Sequence, residues 1–107
     1  WEVAGVAGVI GSSVTAALLL DANEKMLSRA IGIASSMTLG QRVARGTASA
    51  RLIAGKASSN GVLAALLAQG GFTGPASLES PRGLCAVLSA ARLSDVLADF
   101  GRSWTFE

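Results

Sequence analysis

One stretch of this sequence has the makings of a site. Arg51 and Lys56 bracket Gly55, and Thr47 and Ser49 lie just upstream. A guanidinium can clamp a carboxylate through two parallel N–H···O bonds. A helix expected to begin at about Ala57 would add free N–H groups and the positive end of its dipole, a natural seat for an anion. The chemistry on offer is therefore the holding of carboxylates, with Arg51 and Lys56 as the candidate substrate-binding residues and hydroxyl donors from Thr47 and Ser49. Arg42 and Arg45 fall in the same stretch, which with Arg51 and Lys56 collects four of the nine basic residues. Two readings stay open for it: an anion-attracting rim, or a solvated loop without a role.

Other chemistry is excluded by what is missing. There is no His, so neither a Cys–His nucleophile nor a His-ligated zinc site can be built within the chain. Cys85 is the one thiol; it cannot form an internal disulfide, and a reducing, cytoplasmic setting is the expectation. Its plain role is a small residue on an apolar helix face. Nine basic against seven acidic residues give a net charge of +2. The cations are scattered without interleaved aromatics, which argues against nucleic acid as a partner.

The elements that must position these groups are helices, and the class expected is all-α. Half of the 107 residues are apolar, but 20 are Ala and only five are aromatic. A core of such small side chains requires close approach of backbones, and the 13 Gly both permit this and raise the entropy lost on folding. Independent stability is therefore doubtful. Helix one is expected from Val3 to Leu20, eighteen residues without a charge. It is slightly short for a bilayer and has no basic flank, which favours a central helix buried on all sides over a membrane span. Asp21 is expected to stop it and, with Glu24, to cap helix two (about Ala22 to Ser36). Met26, Leu27, Ala30, Ile31, Ala34 and Met37 would form that helix's buried face. The short joint implies an antiparallel hairpin.

Thr38 to Gly55 reads as a connector. Helix three, about Ala57 to Gln69, would take bulk from Val62, Leu63, Leu66 and Leu67 and close contact from Ala57, Gly61, Ala64, Ala65 and Ala68. Gly70 and Gly71 would end it through a left-handed residue. Ser80 and Pro81 are expected to start a short helix reaching about Ser89. Another runs from about Leu93 to Phe100, closed by Gly101, and Trp104 to Phe106 reads as extended.

The segment Gly55 to Pro75, GKASSNGVLAALLAQGGFTGP, resembles the MmgE/PrpD family, which includes 2-methylcitrate dehydratase, cis-aconitate decarboxylase and iminodisuccinate epimerase. Gly55, Ala57, Ser58, Gly61, the run Leu63 to Ala68 and the turn Gly71 to Pro75 match in order and spacing. Ala30 to Ala34 (AIGIA), the glycine-punctuated Gly8 to Leu20, Leu78-Glu79 and Gly101 to Phe106 resemble further family segments. The resemblance implies an internal portion of a much longer enzyme's helical domain, ending near a lid domain. It implies a dimer and reactions on di- or tricarboxylates without metal or organic cofactor. The family's Lys and His before this glycine fall at Ala50 and Ile53, and a further His falls at Glu2. Neither Ala nor Ile can move a proton. Glu2 could act as a base, but it would repel a polyanionic substrate unless its pKa were raised. No catalytic residue carries over. The chain is therefore expected to be a segment of a cofactor-free lyase or isomerase, inactive alone. The alternatives are a non-catalytic helical packing or dimerisation module, and a small membrane protein with a span at 3–20.

Overall fold

A computed structural model describes residues 1–88 and 92–104, apart from the side chain of Val96. It contains five α-helices and, among the described residues, no strand: α1 (Val3–Leu19), α2 (Glu24–Ser35), α3 (Ala48–Gln69), α4 (Leu84–Leu88) and α5 (Leu93–Leu97). A 3-10 turn, Arg42–Ala44, precedes α3. The all-α expectation holds. The chain divides into two compact units, Trp1–Ala76 and Ser77–Glu107.

The first unit is an up-down-up arrangement of α1, α2 and α3. The Leu39 amide at the end of α2 returns to donate to the Gly5 carbonyl near the start of α1 (3.1 Å), so this hairpin is antiparallel as expected. α3 then runs parallel to α1. Gly5 faces Ile53, Gly8 faces Ala57 and Ser12 faces Gly61, a constant register along both helices. A side chain at Gly61 would overlap the Ser12 Oγ and lie 2.6 Å from the Val9 carbonyl oxygen. The Ser12 hydroxyl sits within reach of two carbonyls, Val9 (3.1 Å) on its own helix and Ala57 (3.2 Å) on α3. The seam is made of small residues because the backbones nearly touch.

Alanine dominates the core, as composition predicts. Val9, Ala17, Ala30, Ile33, Ala34, Ala57, Ala64, Ala65 and Ala68 form it, and the largest fully buried side chains are only Val9 and Ser13. Ser13 is buried without penalty because its hydroxyl donates to the Ile10 carbonyl (2.8 Å). Two expectations about packing are corrected. Val62, Leu63 and Leu66 are exposed, not core: α3 presents its small residues inward, since only they fit the seam. Ile33, absent from the expected α2 face, is buried, whereas Met26, Leu27 and Met37 are half-buried around the core.

α1 is likewise not buried all round. Gly5, Val9, Ser13 and Ala17 face inward, while Val3, Ala7, Gly11, Thr15, Leu18 and Leu19 are exposed. Two neighbours, α2 and α3, cover one side of a helix and leave the other open. No helix among the described residues is long and apolar enough to cross a membrane.

Helix ends follow backbone geometry more closely than the sequence reading. Asp21 caps nothing; it is the left-handed residue that terminates α1 (φ 55°). The Ala22 amide donates to the Ala17 carbonyl (3.0 Å) and the Asp21 amide to Leu18 (3.1 Å), the paired bonds of a Schellman ending. Asn23 is the N-cap of α2, its Oδ1 accepting from the Met26 amide at 2.9 Å. Gly71 ends α3 in the same left-handed way (φ 88°), with Phe72 N–H on the Leu67 carbonyl (2.9 Å), as expected. The turn that follows lies back on α2. A Cβ on Gly74 would sit 2.5 Å from the Ile33 amide nitrogen, and one on Gly32 would overlap the Pro75 carbonyl. The AIGIA and GFTGP segments are thus two halves of one backbone contact.

In the second unit, Leu78 and Glu79 anchor both short helices. The Leu78 carbonyl accepts from the Cys85 amide (3.0 Å), and Glu79 Oε1 accepts from the Leu93 amide (2.6 Å). Ser80 and Pro81 do not begin a helix; a turn closes from Gly83 N–H to the Ser80 carbonyl (2.7 Å), and α4 starts at Leu84. The expected end of that helix at Ser89, and the extended Thr105 and Phe106, lie outside the described residues. α5 stops at Leu97 rather than Phe100, followed by turns through Gly101 (φ 79°). The rings of Phe100 and Trp104 pack tilted, 6.4 Å between centroids.

Candidate functional site

The expected connector from Thr38 to Gly55 is only half a connector. α3 begins at Ala48, nine residues earlier than the sequence reading placed it, and the buried Ile53 of this added length packs against Gly5 of α1. The helix start is therefore not beside Lys56 but beside Arg51. Gly46, Thr47, Ala48, Ala50 and Arg51 line an open concavity of about 430 Å³ at that end. The Thr47 hydroxyl donates to the Ala44 carbonyl (2.6 Å) and makes no cap bond to the helix. The amides of Ala48 and Ser49 donate to no group among the described residues. Ala48, whose amide is free, and Arg51 thus line one concave surface, the arrangement an anion would complete.

Arg51 and Lys56 are both exposed on α3, but only Arg51 lines the concavity. Ser49 is exposed at the helix start and does not line it. Cys85 is a free, half-buried thiol in the second unit. Among the described residues no three of His, Cys, Asp or Glu converge as a metal group would require.

The structure brings together three positions that the resemblance singled out. Glu2 and Ile53 meet across Gly40: a Cβ there would lie 3.4 Å from the Glu2 Cβ and 2.8 Å from the Ile53 Cγ2. Ala50 lies one helical turn from Ile53 and lines the concavity. Ile53 is buried, packed with its methyls over Gly5 and Gly40, so an aliphatic core residue occupies the position the resemblance gives to a His.

Glu2 is not a base in waiting. Its carboxylate is held in a two-point grip by Arg45, with Nε to Oε2 at 2.9 Å and Nη2 to Oε1 at 3.2 Å. The Arg45 hydrogen bond, aided by the charges of Arg45 and Arg42, holds the Glu2 carboxyl below its ordinary value despite some desolvation. The same bond raises Arg45. The shift runs opposite to the raised pKa that would let Glu2 tolerate a polyanionic substrate. The pair is 43 residues apart in sequence, and no local pattern marks it.

No curated protein matches the chain. The family model for the MmgE/PrpD N-terminal domain matches residues 1–95, all of the first unit and the first part of the second, and the Gly32–Gly74 contact gives the Gly55 to Pro75 motif a structural reason. The chain belongs to the MmgE/PrpD family.

Proposed function

We propose that the chain is the part of a cofactor-free lyase or isomerase that seats one carboxylate of a di- or tricarboxylate substrate, in the manner of 2-methylcitrate dehydratase. The observation that carries this is the concavity at the start of α3, lined by Arg51 and by Ala48 with its unpaired amide. Lys56, further along the exposed side of α3, contributes attraction at longer range. The acid and base of the reaction come from elsewhere in the parent protein, because Ala50 and Ile53 cannot transfer protons and Glu2 is held by Arg45. By itself the chain binds and does not turn over. The open apolar faces of α1 and α3 are covered in the cytoplasmic parent by the rest of its polypeptide or by a second copy.

Calorimetric titration with citrate and 2-methylcitrate tests this reading. The expected outcome is millimolar binding that Arg51→Ala weakens about fivefold, a typical loss for one exposed charge-assisted contact. Arg92→Ala, in the second unit, is expected to change nothing. Equal affinities of the two variants would remove the seat. Folded protein with no binding at all would leave a second reading, a helical packing module, for which the exposed apolar face of α1 is the supporting observation.

A further inference from the structure

The one ion pair between described residues lies at the same end of the first unit as the concavity. The α1–α3 register, Gly5 to Ile53 and Gly8 to Ala57, places Glu2 level with Ala50. Arg45 is bonded directly to Gly46, which lines the concavity. The Arg45 side chain is 56 % exposed and the Glu2 side chain 14 %. A solute can therefore reach the guanidinium without the helices moving apart. The grip on Glu2 also shows what the guanidinium does when a carboxylate is presented to it: both oxygens are taken, in the fork geometry that suits carboxylates. Building on the carboxylate seat described above, we propose that Arg45 is a second carboxylate anchor, and that Glu2 is a built-in counter-ion which a di- or tricarboxylate must displace from it.

The exchange costs little charge separation. When an external carboxylate takes Arg45, Glu2 still faces the charge of Arg42, which already acts on it. The arrangement favours ligands with more than one carboxylate. A monocarboxylate is satisfied by the helix amides and Arg51 and has no second group with which to compete against Glu2. A polycarboxylate held at the first anchor presents its next carboxylate at high local concentration, which makes displacement of an exposed pair feasible.

The test titrates the chain with citrate and, separately, with acetate. Glu2→Gln removes the charge with little change of shape and is expected to tighten citrate binding about fivefold, the upper range for an exposed ion pair. Acetate affinity is expected to stay the same. Adding Arg45→Ala to Glu2→Gln is expected to abolish the gain. Glu2 makes no side-chain cap bond to α1, so the variant should fold, and Glu2→Ala with a circular-dichroism melt provides a second reading of the same gain. Unchanged or weaker citrate binding in both Glu2 variants would overturn the proposal. So would a gain that survives loss of Arg45, which would mean a general field effect and not an anchor. The two readings fail separately: Arg51→Ala without effect on citrate removes the seat, whereas sensitivity to Arg51 with indifference to Glu2 removes only the Arg45 anchor.

Discussion

Glu2 and Gly61 show how single residues decide this molecule's behaviour. Because Glu2 has a lowered pKa in the folded chain, its contribution is fully present above the unfolded value and is lost as pH falls through the folded one. Wild type is therefore expected to be more stable than Glu2→Gln at neutral pH, with the difference closing on acidification below the ordinary glutamate range. Urea melts at a series of pH values would show it, and a gap independent of pH would contradict it. Gly61 is the tightest point of the α1–α3 seam. Gly61→Leu is expected to cost about 3 kcal/mol, since the clash is with the Ser12 hydroxyl and the Val9 backbone and cannot be relieved by a rotamer. Gly55 has nothing within 4 Å of its would-be Cβ, so Gly55→Ala should stabilise α3 by about 1 kcal/mol through helix propensity. Thermal melts of the two variants moving in the same direction would count against the seam. Spacing alone could nominate both glycines but could not tell them apart, because the difference lies on the neighbouring helix.

At the level of elements, the helices were legible, but the start of α3 and the joint between α1 and α2 were not. The charge-free run to Leu20 and the Leu/Ala run before Gly70 predict α1 and the second half of α3 almost to the residue. The first half of α3 was hidden because Gly46, Arg51, Gly55 and Lys56 read as a loop, although only Gly46 needs a positive φ (85°). Asp21 was misread for a related reason. Its side chain suits a cap, and the residue that caps, Asn23, lies two positions on, while Asp21 carries the left-handed turn. Two substitutions follow. Asn23→Ala should destabilise by about 1 kcal/mol through loss of the bond to the Met26 amide. Asp21→Gly should stabilise by about 0.5–1 kcal/mol, because glycine adopts that φ without strain. Chemical denaturation that ranks the two in the opposite order would contradict this account of the α1–α2 joint.

For the whole molecule, a buried set of Ala with Val9, Ile33 and Ile53 as its larger members gives little apolar volume, and the bulky side chains Leu18, Leu19, Leu52 and Leu66 remain exposed. The isolated chain is accordingly expected to melt below about 45 °C, the lower edge of ordinary mesophilic domains. A sharp transition well above that would show that the small-residue seam suffices alone. The family was legible because its motifs are packing motifs, the Gly32–Gly74 contact above all. The site was legible only in part: Arg51 stands out as a cation near a helix start, whereas Arg45 becomes interesting only once folding brings Glu2 against it. The central claim, that the start of α3 is a carboxylate seat, is tested most directly by recording amide nuclear magnetic resonance shifts during citrate titration. The Ala48 amide should shift most, with the response much reduced by Arg51→Ala. A shift absent from that amide, or unchanged by loss of Arg51, would contradict it.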